Sequence, residues 1–165
     1  KKLTILPGEM PTIEDWINQI SMVFPEVRLK QYLELRAADC GDDHMIMALS
    51  ALWVGLLYDA ENLRICHDYV QALQFSEIQD VYHSVPRYGL ATLLRQQPIG
   101  CLARYLVEKS ADGLKRRKNL NMHGQDESIY LDPLFDILDR QGYKKLCVQE
   151  DHKKSKVLAF FAGDI

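Results

Sequence analysis

Gln31-Tyr32-Leu33-Glu34-Leu35-Arg36-Ala37-Ala38-Asp39 alternates without a break. Tyr32, Glu34 and Arg36 have one parity, and Leu33 and Leu35 have the other. Side chains two apart on a strand share a face. The spacing predicts a strand within Val27–Asp39, with a phenol and two opposite charges on one face and leucines buried behind them. Upstream, Arg28 and Lys30 keep the charged parity. Such a face suits a metal, a phosphate or a substrate carboxylate. It equally suits a cross-strand ion pair on a solvated sheet.

Around this strand the pattern is helical. Thr12 reads as an N-cap, with Glu14 and Asp15 in the first turn. Trp16, Ile17, Ile20, Val23 and Phe24 then form an apolar face that Pro25 ends. Cys40-Gly41-Asp42-Asp43 reads as a turn closing on a capping acid. Met45–Tyr58 reads as the most buried helix, and Glu61–Gln74 as an amphipathic one through Leu63, Cys66, Tyr69, Val70 and Leu73. A short helix over Ser76–Ser84 is interrupted by Pro86, and Tyr88–Leu94 reads as a further short helical turn. Pro98 opens a long helix to about Leu120. Asn119–Gln125 reads as a polar loop, Asp132-Pro133 opens a helix ending near Gly142, and Tyr143–Gln149 adds a last turn. The expected fold is mostly α (α+β), with one or two strands near the N-terminus. One strand cannot make a sheet, so its partners must come from elsewhere in the chain, a second copy or a missing N-terminal part.

The chain has 165 residues and a formal net charge of −3. That length supports one domain, residues 1–165, with residues 1–11 as a linker-like lead-in. The slight negative charge gives no global pull toward nucleic acid or anionic membrane. Met45–Leu57, the longest apolar run, is shorter than the roughly 20 residues a membrane helix needs. No signal-peptide pattern precedes it. The four cysteines, Cys40, Cys66, Cys101 and Cys147, form no CxxC pair; reduced thiols of a cytoplasmic protein are expected. His44, His67, His83, His123 and His152 form no metal or catalytic pattern, and no P-loop is present. Trp53 and Tyr58 read as helix aromatics, Trp53 as core. Asp59 reads as a helix end. Asp42-Asp43-His44 could suggest a metal site, but helix capping explains the acids. Lys115-Arg116-Arg117-Lys118 reads as a solvated basic face complementing a helix dipole. Its alternatives are docking to an acidic surface, phosphate binding, or weak nucleic-acid contact.

Three ordered blocks resemble the glutamate–cysteine ligases of the plant and proteobacterial type. Pro25-Glu26-Val27-Arg28-Leu29-Lys30 with Tyr32–Asp39 is similar to that family's FPEVRLK-x-YLEMRGAD. Leu52-Trp53-Val54-Gly55-Leu56-Leu57-Tyr58-Asp59 is similar to FWVGLLYD. Gly113-Leu114-Lys115-Arg116-Arg117, Asp126-Glu127 and Leu131-Asp132-Pro133-Leu134 are similar to GLxRR, DE and LDPL. The resemblance runs from about Pro7 to about Gln149. It implies the helical C-terminal part of a glutamine synthetase-like fold, with a missing N-terminal part of the same enzyme as partner. It implies ligation of the side-chain carboxylate of L-glutamate to L-cysteine, with ATP and Mg²⁺, as the first step of glutathione synthesis. Glu34 would be a metal ligand. Arg36 would be the catalytic contact to the γ-phosphate or acyl-phosphate. Arg28, Lys30 and Arg36 would bind ATP phosphates. A homodimer is compatible with it, and the isolated chain is expected to be inactive. The sequence departs from the family at Cys40-Gly41-Asp42-Asp43-His44-Met45, where Gly-Gly-Pro-Trp-Arg-Arg is usual, and at Ala37, where Gly is usual. The alternative is a catalytically silent helical scaffold; a basic-helix binder of polyanions is a third reading.

Overall fold

The computed structural model describes residues 10–23, 25–38 and 41–143. The chain divides into two compact units, Lys1–Cys40 and Gly41–Ile165.

In the first unit, α1 (Ile13–Ser21) begins at the expected cap. The Thr12 Oγ1 accepts from the Asp15 N–H, and the Asp15 carboxylate accepts from the Thr12 N–H at 2.8 Å. This reciprocal pair satisfies two amides that the helix cannot. The expected strand is instead a hairpin. β1 (Val27–Leu29) and β2 (Leu33–Leu35) run antiparallel, pairing Val27 with Leu35, Arg28 with Glu34 and Leu29 with Leu33. The Lys30 N–H donates to the Tyr32 carbonyl at 2.9 Å and closes the turn. A partner therefore lies within the chain, six residues upstream. The leucines are not buried behind the charges. Leu29 is 79% and Leu33 59% exposed, whereas Arg28, Glu34, Leu35 and Arg36 are half-buried. Two strands form a single layer, and no described element of this unit covers its apolar side. Trp16, Ile17, Ile20 and Val23 on and after α1 are likewise exposed. Phe24 lies outside the described residues.

The second unit is helical. α2 (Asp43–Leu57) starts at Asp42, whose carboxylate accepts from the Met45 N–H at 2.9 Å. α3 (Ala60–Gln71) starts at Asp59. α4 (Phe75–Tyr88) carries Pro86 through its last turn rather than stopping before it. Proline lacks an amide donor, so in the last turn it removes only one bond of the ladder. Gly89–Ala91 forms a 3₁₀ turn, and Leu93–Leu94 (β3) pairs with Gln97–Pro98 (β4). The 3₁₀ turn lies within the helical turn expected over Tyr88–Leu94, and the hairpin takes only the end of that span. α5 (Ile99–Arg117) follows Pro98. A 3₁₀ turn over Glu127–Leu131 leads into α6 (Asp132–Arg140). The positive φ of Gly142, +85°, follows α6. Residues 144–149 of the expected final turn lie outside the described residues.

The core gathers Ala51, Val107, Ala111, Leu114, Leu131, Leu138 and Tyr143 from α2, α5, α6 and their connections. At its centre α2 and α5 approach through small residues. A Cβ on Gly55 would fall 2.2 Å from Ser110 Oγ, and one on Gly113 would fall 2.3 Å from the Gly55 carbonyl oxygen. Ser110 Oγ is buried and donates across the gap to the Leu52 carbonyl at 3.0 Å. Both obstacles are main chain or tightly bonded, so neither helix can yield locally. Gly113→Ala is therefore expected to destabilise this unit by about 1–3 kcal/mol. The measurement is the urea midpoint of equilibrium unfolding; an unchanged midpoint would mean that the helices are not held this close.

Candidate functional site

Antiparallel pairing brings two of the expected site residues together. Arg28 and Glu34 are directly opposed, and Arg28 Nε donates to Glu34 Oε2 at 2.6 Å. Each side chain is about one quarter to one third exposed. That hydrogen bond holds the Glu34 carboxyl below the usual carboxylate range, and the positive charges of Arg28, Lys30 and Arg36 add to it. Lys30 sits in the turn. Arg36 follows β2, with its backbone N–H donating to the Glu26 carbonyl at 2.8 Å. The pairing extends past the named strands on the charged parity.

The donor chemistry of Glu34 fits a hard divalent cation in part. Among the described residues, Glu34 Oε1 has no hydrogen bond, so one hard oxygen is available. No group of three or more His, Cys, Asp or Glu side chains gathers to hold an ion among the described residues. Mg²⁺ commonly takes one or two carboxylates and completes its shell with water and substrate phosphate. Asp42, one of the two acids of the alternative metal reading, caps α2.

Sequence reasoning missed a second polar cluster, in the helical unit. The Asp59 carboxylate caps α3 by accepting from the Asn62 N–H at 2.9 Å. It also receives Arg116 Nε and Nη2, each at 2.8 Å. Asn62 is fully buried; its Nδ2 donates to the Gly55 carbonyl at 2.9 Å and to the Lys109 carbonyl at 2.6 Å. The Arg116 and Asn62 bonds pull the Asp59 pKa down to about 2. Arg117 pairs with Glu127 at 3.1 Å and lies over the Tyr58 ring. Half of the basic cluster is thus engaged by acids of its own unit, while all four of its residues stay exposed. The capping spacing Asp59-x-x-Asn62 was the available signal.

The same unit has an open pocket of about 550 Å³ lined by Leu52, Trp53, Leu56, Tyr69, Leu106 and Val107, among others. Its walls are almost wholly apolar, with Cys66 and Tyr69 the titratable residues among them. Trp53, expected as core, is half-buried on this wall. Burial pushes the Tyr69 phenol up to about 12. Cys66 is a free thiol; Cys40 and Cys147 lie outside the described residues. No helix among the described residues is long and apolar enough to cross a membrane.

Comparison with known proteins assigns the chain to a family of named ligases. The family model for Glutamate-cysteine ligase family 2 (GCS2) matches residues 5–154, and the chain belongs to that family. It is 44% identical over 116 residues to glutamate–cysteine ligase A, chloroplastic, of Oryza sativa subsp. indica, covering 70% of this chain and 24% of the relative. It is 42% identical over 137 residues to the chloroplastic glutamate–cysteine ligase of Arabidopsis thaliana, covering 83% of this chain and 25% of the relative. The Medicago truncatula enzyme is 38% identical over 137 residues, covering 83% of this chain and 26% of the relative. The chain therefore spans about a quarter of the length of these relatives. Their chloroplastic names overturn the expectation of a cytoplasmic protein, which rested on cysteine usage alone. Cysteine spacing in a sequence does not tell one reducing compartment from another.

The depressed pKa of Asp59 makes a prediction with a defined sign. Its stabilisation is complete above the unfolded carboxylate value of about 4 and is lost as pH falls toward about 2. Asp59→Asn keeps a cap acceptor but cannot titrate. Its urea midpoint should fall less steeply than wild type across that window, though not stay flat, because Glu77, bonded to Arg95, also sits at about 2. Identical pH profiles would refute the assignment.

Proposed function

We propose that this chain supplies one wall of the active site of a glutamate–cysteine ligase. Family membership and the activity printed in the relatives' names support the reaction. ATP would activate the side-chain carboxylate of glutamate, and the amine of cysteine would then be joined to it. A carboxylate oxygen attacks the γ-phosphorus and the bond to the bridging oxygen breaks, so ADP leaves. The cysteine nitrogen then adds to the acyl carbon, phosphate leaves with its bonding pair, and the nitrogen loses a proton. The product is γ-glutamylcysteine, the precursor of glutathione.

The observation that carries the site is the Glu34 carboxylate held 2.6 Å from Arg28, with the charges of Lys30 and Arg36 acting on it. Phosphoryl transfer relies on positioning and on neutralising charge at the phosphate oxygens. Glu34 would hold Mg²⁺, which supplies that neutralisation when bound. Arg36, able to offer a planar fork of donors, would contact the γ-phosphate and then the acyl-phosphate. Arg28 and Lys30 would add positive charge toward the ATP phosphates. The remaining ligands and substrate contacts would come from the rest of the longer enzyme.

A scaffold without chemistry is the second reading. It is favoured by Cys40–Met45, where the family's usual pair of arginines is replaced, and by the use of Asp42 as a helix cap. One substitution in the full-length protein separates the two. Glu34→Gln should lower ATP-, glutamate- and cysteine-dependent phosphate release by roughly 10²-fold or more. Full activity in that variant would favour the scaffold. The isolated 165-residue chain should show no turnover in the same assay.

A further inference from the structure

Glu34 presents two oxygens, and the hairpin treats them differently. Oε2 receives Arg28 Nε at 2.6 Å. Oε1 has no hydrogen bond among the described residues. The two residues are directly opposed on paired strands, so the backbone register sets their separation. A glutamate on an open two-stranded ribbon otherwise keeps several rotamers. The Arg28 contact therefore selects one.

We propose that Arg28 is the positioning residue of Glu34, engaging Oε2 so that Oε1 meets a divalent cation as a single-oxygen ligand. This rests on the reading of Glu34 as a metal ligand, and it gives Arg28 a role distinct from contact with ATP phosphates. Mg²⁺ demands near-ideal octahedral geometry and is intolerant of a wandering ligand. A carboxylate fixed by an outer hydrogen bond meets that demand, and removing such a partner weakens metal binding about 10–100-fold in known sites. Simple competition between Arg28 and the cation is the rival arrangement. It would be expected of a guanidinium that covers both oxygens side by side. Here one nitrogen meets one oxygen, and the carboxylate would lie between the two positive charges.

The test uses the full-length protein and Mn²⁺ as the probe, with bound ion counted by electron paramagnetic resonance in the absence of nucleotide. Arg28→Gln should weaken Mn²⁺ binding about 10–100-fold. Arg28→Lys should recover part of the loss, because an ammonium still donates to one oxygen. ATP binding in metal-free buffer should change less than Mn²⁺ binding in both variants. Mn²⁺ affinity unchanged or tighter in Arg28→Gln, with Glu34→Gln still losing the ion, would overturn the positioning role and leave the metal-ligand reading standing. Intact Mn²⁺ binding in Glu34→Gln would instead overturn that reading. Loss of metal-free ATP binding with Mn²⁺ affinity intact would also overturn the proposal and make Arg28 a phosphate contact. Arg28→Lys keeps the charge pairing of the hairpin, so it decides the matter if the glutamine variant does not fold.

Discussion

The helical unit depends on one close contact, that of α2 with α5 at Gly55 and Gly113. Helices packed through side chains lie about 8–10 Å apart. Small residues allow a closer approach, but they expose backbone carbonyls to the neighbouring helix. The last carbonyls of α2 have no intrahelical donor. Asn62 resolves this, because its buried amide donates to the Gly55 carbonyl of α2 and to the Lys109 carbonyl of α5. Its own backbone N–H is held by Asp59, and Asp59 is held by Arg116. The corner between α2 and α3 is thereby tied to the end of α5 by one connected set of bonds. Buried polar groups cost free energy when unpaired, so these residues hold the arrangement as a group or not at all.

This contact explains why two of the resemblance-bearing blocks have the composition they do. Leu52–Asp59 supplies Gly55 and Asp59; Gly113–Arg117 supplies the other glycine and Arg116. The blocks meet face to face. Neither reveals its partner, because the residues that touch are more than fifty positions apart. The helices themselves were legible from period and caps: Thr12, Asp42 and Pro98 stand where the helices begin. The second hairpin was not legible. Arg95 and Gln96 both adopt positive φ, +48° and +68°, where glycine or asparagine is the usual signal. Arg95 is instead held there from outside, by bonds to Glu77 and to the Ala72 carbonyl. A local sequence rule cannot see a turn that is stabilised by a distant acid.

The first unit shows a different kind of partial legibility. Parity alone placed Arg28, Lys30, Glu34 and Arg36 on one face, although the segment is a hairpin and not a single strand. The reason is the register. Each pair in this hairpin joins residues of equal parity, as Arg28 with Glu34, so even-numbered residues of both strands share a side. The chain reversal at Lys30–Tyr32 preserves the pattern that a straight strand would have had. What parity could not supply was the second layer. Alternation says which side is apolar but not whether anything covers it, and here Leu29 and Leu33 stand open.

Charge that looks functional in a sequence has to be counted after internal partners are assigned. At the end of α5, Arg116 is committed to Asp59, with Glu61 3.7 Å away, and Arg117 is committed to Glu127. A polyanion would have to compete with those carboxylates, so the cluster is a weaker electrostatic lure than four adjacent cations suggest. On the hairpin the same accounting has another result. Arg28 uses one oxygen of Glu34, and the single-oxygen contact leaves the carboxylate partly unsatisfied. At Asp59, by contrast, Arg116 engages both oxygens. The Arg28–Glu34 pair thus leaves one carboxylate oxygen without a protein donor among the described residues, where the Arg116–Asp59 pair leaves none.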